Sequence, residues 1–263
     1  MDYLIALILG IVQGLTEFLP VSSSGHLEII KGLFATDYQA KESLVMTVVL
    51  HFATALSTIF IFRKEIFKIF NGVFSKTSSN ERSFAIKIIV SMIPSALVGV
   101  FFNDIIETLF DGQIILVGFM LIITGLLLFF ADKAKPTNST ISIPKSFLIG
   151  IAQAIAILPG ISRSGATIAI SVILGLDKTS SAKFSFLMVV PLIFGKVAKD
   201  LLDGNIFSEA INLGPLVIGF FAAFFTGLIA CKWMIGIVKE SKLKYFSYYC
   251  FIIAVITITI ELL

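Results

Sequence analysis

Apolar runs long enough to cross the roughly 30 Å hydrocarbon core of a bilayer recur along this chain with only short polar breaks between them. Six stretches qualify: Leu44 to Phe62, Phe84 to Phe102, Gln113 to Ala131, Lys183 to Leu202, Leu213 to Val238 and Tyr245 to Leu262. Water cannot be the main solvent of such a chain. Of its 263 residues 57% are hydrophobic and 14% charged, too little polar surface for a soluble fold of this length. Length alone would accommodate about two soluble domains, but the continuity of the runs favours one transmembrane unit over residues 1–263. The expected fold class is all-α and polytopic, because a helix satisfies its own backbone in lipid.

Two further apolar stretches are interrupted. Leu4 to Phe34 breaks at Pro20-Val21-Ser22-Ser23-Ser24-Gly25, and Ser146 to Leu176 breaks at Pro159-Gly160-Ile161-Ser162-Arg163-Ser164-Gly165. The arms after the breaks hold roughly 10 to 12 residues, about 15 to 18 Å at helical rise, which is half a crossing. Both read as re-entrant helical hairpins. Loop charge gives the orientation, since cytoplasmic loops carry the excess Lys and Arg. Arg63, Lys64, Lys68, Lys76 and Arg82 follow the first full span, Lys133, Lys135 and Lys145 the third, and Lys239, Lys242 and Lys244 precede the last. All are assigned inside, whereas Asn103, Asp104, Glu107, Asp111, Asp203 and Glu209 fall outside. The alternation closes only if the first hairpin enters from outside and the second from inside, with both chain ends outside.

That opposite entry agrees with an internal repeat. Gly10-Ile11-Val12-Gln13, Pro20 and Ser22-Ser23-Ser24-Gly25 are echoed by Gly150-Ile151-Ala152-Gln153, Pro159 and Ser162-Arg163-Ser164-Gly165, and Pro94 and Gly99 loosely match Pro215 and Gly219. The pattern predicts six transmembrane helices plus two re-entrant hairpins in an inverted-topology repeat. Repeat 1 (about residues 1–131) and inverted repeat 2 (about residues 146–263) are joined by the basic loop 132–145. A binding site belongs at the midplane between such repeats, where the two broken tips should meet.

Several classes are disfavoured. Met1-Asp2-Tyr3 precedes the first apolar run without a Lys or Arg, so that segment is read as retained rather than as a cleaved signal. Cys231 and Cys250 lie in apolar runs with no further Cys or His at ligand spacing, which argues against a disulfide framework or structural zinc. The net charge of +3 is spread over loops and suits anionic lipid headgroups rather than nucleic acid.

The chemistry concentrates at the breaks. Each following helix starts with free N–H groups and the positive end of its dipole, which attracts anions, and small Gly and Ser residues let phosphate oxygens approach. Arg163 adds a planar cationic fork. Glu17, His26 and Arg163 are the ionisable residues nearest the breaks. Burying a charge there costs about 2.5 to 3.5 kcal/mol even on lenient scales. A bland reading makes Glu17 and Arg163 an ion pair between repeats and His26 a satisfied helix-start histidine. The whole set beside two anion-ready helix ends favours function instead.

Phosphoryl transfer needs a nucleophile, a proton carrier and cationic clamps. Ser23 could attack phosphorus or orient a water, and His26 could shuttle protons. Glu17 could act as base or, with Gln13, hold a divalent cation such as Mg or Ca bridging the phosphates. Mg takes as few as one or two carboxylates beside substrate phosphates and water. Arg163 is the clamp, with Ser22, Ser24, Gly25, Ser162, Ser164, Gly165 and Thr167 around the phosphate. His51, inside a full span, reads as a packing or hydrogen-bonding residue, and Glu28 and Lys31 as an interfacial pair. The 26 Phe residues face lipid tails or line an isoprenoid groove. The rival class is a lipid flippase or secondary transporter, because inverted repeats with broken helices are a transporter layout. The grouping of Ser23, His26 and Glu17 beside an anion site favours an enzyme.

Gln13-Gly14-Leu15-Thr16-Glu17-Phe18-Leu19-Pro20-Val21-Ser22-Ser23-Ser24-Gly25-His26 and Leu158-Pro159-Gly160-Ile161-Ser162-Arg163-Ser164-Gly165-Ala166-Thr167 resemble the two signature blocks of bacterial undecaprenyl-diphosphatases, also called bacitracin-resistance proteins. The resemblance extends over the chain in length, order of spans and position of both blocks. It implies a plasma-membrane enzyme that hydrolyses undecaprenyl diphosphate to the monophosphate and inorganic phosphate, recycling the lipid carrier of cell-wall precursors, with a site open to the outer face. It further implies that Glu17 is the essential acidic residue, Ser23 the nucleophile, His26 the proton carrier and Arg163 the phosphate clamp. The family's first block often carries carboxylates at i and i+4, but here the first position is Gln13. The implied partners are a polyprenyl diphosphate lipid and the bilayer, with a second copy of the chain as a candidate homodimer.

Overall fold

The structure, a computed structural model, describes residues 2–34, 40–75, 79–102, 106, 108, 109, 113–135, 137, 139–202, 212–239 and 242–262. Among the described residues it contains eleven helices and no strand. They are α1 (Tyr3–Thr16), α2 (Ser23–Leu33), α3 (Ala40–Ile61), α4 (Arg63–Phe74), α5 (Ser79–Phe101), α6 (Ile114–Lys133), α7 (Ile143–Ile155), α8 (Arg163–Ile173), α9 (Lys178–Leu202), α10 (Leu213–Lys239) and α11 (Leu243–Leu262). Six of them, α3, α5, α6, α9, α10 and α11, are long and apolar enough to span a membrane, and the chain is a multi-pass membrane protein.

The spans match the expected ones in number and order, with three main differences of extent. α3 begins at Ala40, α5 at Ser79 and α9 at Lys178, not at Leu44, Phe84 and Lys183. Their first turns are polar, so hydropathy alone missed them, although nothing in Glu81, Arg82 or Lys178 prevents helix. The basic segment after the first span is also not a plain loop. It forms α4, whose Phe67, Phe70 and Phe74 are exposed at helical spacing on a helix that also carries Lys64 and Lys68. Lys68 reaches Glu81 of α5 at 3.2 Å. Asn103, Asp104, Glu107, Asp111, Asp203 and Glu209, on which the outer-side assignment rested, lie outside the described residues, as does Lys76.

The two interrupted stretches form short helix pairs, α1 with α2 and α7 with α8, each pair in mutual contact. Helix resumes earlier than expected, at Ser23 and Arg163, so Ser23-Ser24-Gly25 and Arg163-Ser164-Gly165 are first turns rather than part of the breaks. The reason is capping. Ser22 Oγ accepts from Gly25 N at 3.2 Å, and Ser162 Oγ accepts from Gly165 N at 3.0 Å. The outer ends of the two pairs lie at opposite ends of α6. A Cβ on Gly32, at the end of α2, would stand 2.6 Å from Cδ1 of Ile114, where α6 begins. The carbonyl of Gly175, just past α8, accepts from the N–H of Thr137, just past the end of α6.

Packing around the breaks is close. α3 and α9 are central, with half of each span buried, against 17% for α5. Phe18, in the first break, is 2% exposed and meets the Phe186 ring of α9 edge-on at 5.6 Å. α1 lies against α10 and α7 against α5 with backbones nearly touching. A Cβ on Gly10 would sit 2.5 Å from the Gly219 carbonyl oxygen, and one on Gly150 2.4 Å from that of Ser91. At one end, Asp132 of α6 accepts from Lys178 Nζ of α9 at 3.1 Å and from the N–H of Leu243 of α11 at 3.0 Å, tying three helix ends together.

Overpacking at such contacts costs about 1 to 3 kcal/mol. Gly10→Ala and Gly150→Ala are expected to lower the unfolding midpoint of the detergent-solubilised protein. Gly99→Ala, where an added Cβ meets nothing within 4 Å, should leave it unchanged or raise it. Equal midpoints for all three variants would contradict the close contacts.

Candidate active site

The two breaks meet. Ser164 Oγ donates to the Leu19 carbonyl at 3.2 Å, a Cβ on Gly165 would stand 3.2 Å from the Pro20 carbonyl oxygen, and one on Gly25 3.1 Å from the Gly160 Cα. Glycine at 25 and 165 is what allows this approach. Gly160 also has φ of +95°, a conformation an L side chain rarely adopts. Thr124 of α6 clamps the second break, donating to the Gly160 carbonyl at 3.1 Å and accepting from Ser162 N at 3.0 Å. Ser22 holds a positive φ of 72°, a strained value for a residue with a side chain, at the entry to α2.

Glu17 stands at the junction, 8% exposed. Arg163 donates through Nη2 to its Oε1, joining the two breaks by an ion pair. Ser23 Oγ donates to Glu17 Oε2 at 2.7 Å, a strong charge-assisted contact. Gln13, one turn earlier on α1, donates through Nε2 to the same oxygen at 3.0 Å. Three buried side-chain atoms lack a hydrogen-bond partner among the described residues: Arg163 Nη1, Gln13 Oε1 and Gln153 Oε1. Two of the three belong to this cluster. An unsatisfied buried guanidinium N–H asks for an acceptor, such as an anion's oxygen, and an unsatisfied amide oxygen for a donor or a cation.

The sequence-predicted residues thus divide. Glu17, Ser23, Arg163 and Gln13 converge. His26 lies one turn beyond Ser23 on α2, but no hydrogen bond joins it to Ser23 or Glu17. Its Nδ1 is 2.7 Å from the Ser22 carbonyl, which can only accept, so that nitrogen carries the hydrogen and Nε2 accepts from the Tyr249 hydroxyl at 2.8 Å. Ser22 and Ser162 cap their helices. Ser164 and Thr167 bind backbone, Thr167 Oγ1 donating to the Arg163 carbonyl at 2.8 Å and sharing a 2.7 Å contact with Ser185. Ser24 lies 3.4 Å from Ser22 Oγ. Glu28 and Lys31 form the expected pair at 2.9 Å.

Sequence reasoning missed three residues here. His51, read as a packing or hydrogen-bonding residue, does bond the Thr47 carbonyl through Nδ1 but also places Nε2 3.8 Å from Glu17 Oε2. A signal was present: Thr47, His51, Thr54 and Thr58 fall at helical spacing along an otherwise apolar span, and Thr54 and Thr58 are buried at 1% exposure, marking the inward face. Tyr249 and Thr124 carried no comparable signal.

A family model described as bacitracin resistance protein BacA matches residues 6–256. The chain belongs to the bacitracin resistance protein BacA family. Its relatives include proteins named undecaprenyl-diphosphatase from Christiangramia forsetii, 56% identical over 98% of both chains, and from Bacteroides fragilis, 48% identical over 99% of both. One from Methanococcus vannielii is 42% identical over 96% of this chain and 98% of its own. The matched BacA region contains both breaks and every residue of the cluster.

Removing one partner of a buried ion pair strands the other charge, at a cost of about 3 to 5 kcal/mol. Glu17→Gln and Arg163→Met should each lower unfolding stability in detergent, and the double variant should be more stable than the sum of the single losses predicts. Strict additivity would show that the pair is not coupled.

Proposed function

We propose that this chain is a membrane phosphatase that hydrolyses undecaprenyl diphosphate to undecaprenyl phosphate and inorganic phosphate. The carrying observation is a serine hydroxyl 2.7 Å from a buried carboxylate, beside a guanidinium with one buried N–H unpartnered. Nucleophile, base and anion clamp are thereby within reach of one phosphoryl group. The names of relatives matched over nearly the whole chain supply the substrate.

Arg163 uses its free Nη1 to bind a diphosphate oxygen. The N–H groups of Ser23 and Ser24, and of Arg163 and Ser164, line the open first turns of α2 and α8 that Ser22 and Ser162 cap. Gly25 and Gly165 allow those turns to close on the phosphates, while Ser164 and Thr167 hold the second break and Arg163 in place. Ser23 Oγ attacks the terminal phosphorus as its proton passes to Glu17. The bond from that phosphorus to the bridging oxygen breaks, and undecaprenyl phosphate leaves with the proton held on Glu17. Water then attacks the phosphoserine: Glu17 returns its proton to the departing Ser23 Oγ and takes one from the water, and inorganic phosphate carries that proton away, restoring the carboxylate. His26, held between the Ser22 carbonyl and Tyr249, carries protons between this site and the outside.

A divalent cation such as Mg or Ca belongs to this reading. Gln13 Oε1, buried without a partner, and the Glu17 carboxylate are hard oxygen donors one turn apart and would hold it. When bound it would neutralise charge on the diphosphate.

The α1–α2 and α7–α8 pairs act as re-entrant hairpins of two inverted repeats in a plasma membrane, with the site open to the outer face. The opposite placement of their outer ends along α6 supports this, as does the reciprocal packing of α1 on α10 and α7 on α5.

Detergent-solubilised protein given undecaprenyl diphosphate should release phosphate. Ser23→Ala and Arg163→Ala should lower kcat by about 100-fold or more while remaining folded. Normal turnover by both variants would refute the site, and lipid movement without hydrolysis would favour a flippase. With Cys231 and Cys250 replaced, Phe34→Cys should label with an impermeant maleimide from outside intact cells and Ser180→Cys only after permeabilisation. Labelling of both from one side would end the inverted arrangement.

A further inference from the structure

His51 stands on α3 with its ring turned toward Glu17. Its Nδ1 is 2.8 Å from the Thr47 carbonyl, which only accepts, so Nδ1 carries the hydrogen and Nε2 keeps a lone pair in the neutral ring. That lone-pair nitrogen is 3.8 Å from Glu17 Oε2, too far for a hydrogen bond. Two Lewis bases therefore face each other across a gap. Gln13, fully buried, reaches the same carboxylate oxygen through Nε2 and leaves Oε1 without a partner.

Two donor atoms each about 2.1 Å from a shared ion stand about 3.0 Å apart when cis in an octahedron and about 4.2 Å apart when trans, so the observed 3.8 Å leaves room for an ion between Nε2 and Oε2 after a small adjustment of either side chain. His26 cannot play this part, because Ser22 and Tyr249 occupy both its ring nitrogens.

We propose that His51 Nε2 joins the Glu17 carboxylate and Gln13 Oε1 as the protein's ligands to a divalent cation. The inference rests on the phosphatase reading, since diphosphate oxygens and water would complete the coordination. Arg163 and Lys196 are the other charged groups that act on His51, and both are cations. The ion is therefore held far more tightly with the anionic headgroup than alone. One imidazole among oxygens also moves the site's preference from Mg and Ca toward Mn and Zn.

Histidine count makes this testable, because the chain has only two. Tag-free full-length protein in detergent is loaded with Mn²⁺ in the presence of inorganic pyrophosphate, and pulsed EPR is recorded for ¹⁴N coupling to the metal. The native protein and His26→Asn should both show imidazole nitrogen coupling. His51→Gln should lose it while still eluting as a folded species, with Mn²⁺ affinity reduced about tenfold or more. Bound Mn²⁺ without nitrogen coupling, coupling that survives His51→Gln, or no Mn²⁺ binding at all would each overturn the assignment. Phosphate release is scored separately. Hydrolysis without nitrogen coupling would leave the phosphatase reading standing and remove only this ligand, whereas coupling without hydrolysis would do the reverse.

Discussion

The Glu17 carboxylate and the Arg163 guanidinium come from opposite halves of the chain, 146 positions apart, and meet where both helix pairs are interrupted. In an apolar interior neither charge is tolerable alone, and their attraction offsets the desolvation only if the remaining polar atoms are also satisfied. Ser23 and Gln13 meet that requirement on the carboxylate, while the serine caps and Thr124 meet it for the backbone that the breaks expose. Within the cluster one guanidinium N–H and one amide oxygen stay unsatisfied, while a third such atom among the described residues, Gln153 Oε1, lies outside it. The unpaired polarity of the cluster is what the proposed diphosphate and its counter-ion would satisfy.

The packed centre of the molecule encloses this junction. α3 and α9 supply the buried centre, and Phe18 in the first break is locked against Phe186 of α9, so the non-helical backbone is enclosed by protein rather than by lipid. Strain at Ser22 is local to the same point. A serine with φ of 72° persists because the Gly25 cap and the His26 contact to its carbonyl both fix it. The strain turns the chain sharply enough for Ser23 to face Glu17 six residues back.

Much of this was legible in the sequence because bilayers impose simple arithmetic. Runs of about twenty apolar residues have one cheap solution, so the spans could be read directly. Charged residues inside apolar stretches are costly enough that Glu17 and Arg163 announced a shared purpose. Helix limits were less legible where polar first turns of α5 and α9 look like loop, and α4 was hidden because its lysines outweigh the three phenylalanines in any running average. His51 and Tyr249 were obscure for a different reason: which face of a spanning helix turns inward depends on neighbours far away in the chain. Only the threonine stripe of α3 hinted at it, and α11 carried no hint for Tyr249.

The glycine contacts cross over between the halves of the molecule. α1 is gripped by α10 and α7 by α5, like two hands each closed on the other's wrist. A carrier that rocks one half against the other would have to loosen both grips in every cycle, at places where backbones already touch. A hydrolase needs no such stroke, so both grips can stay closed through every turnover.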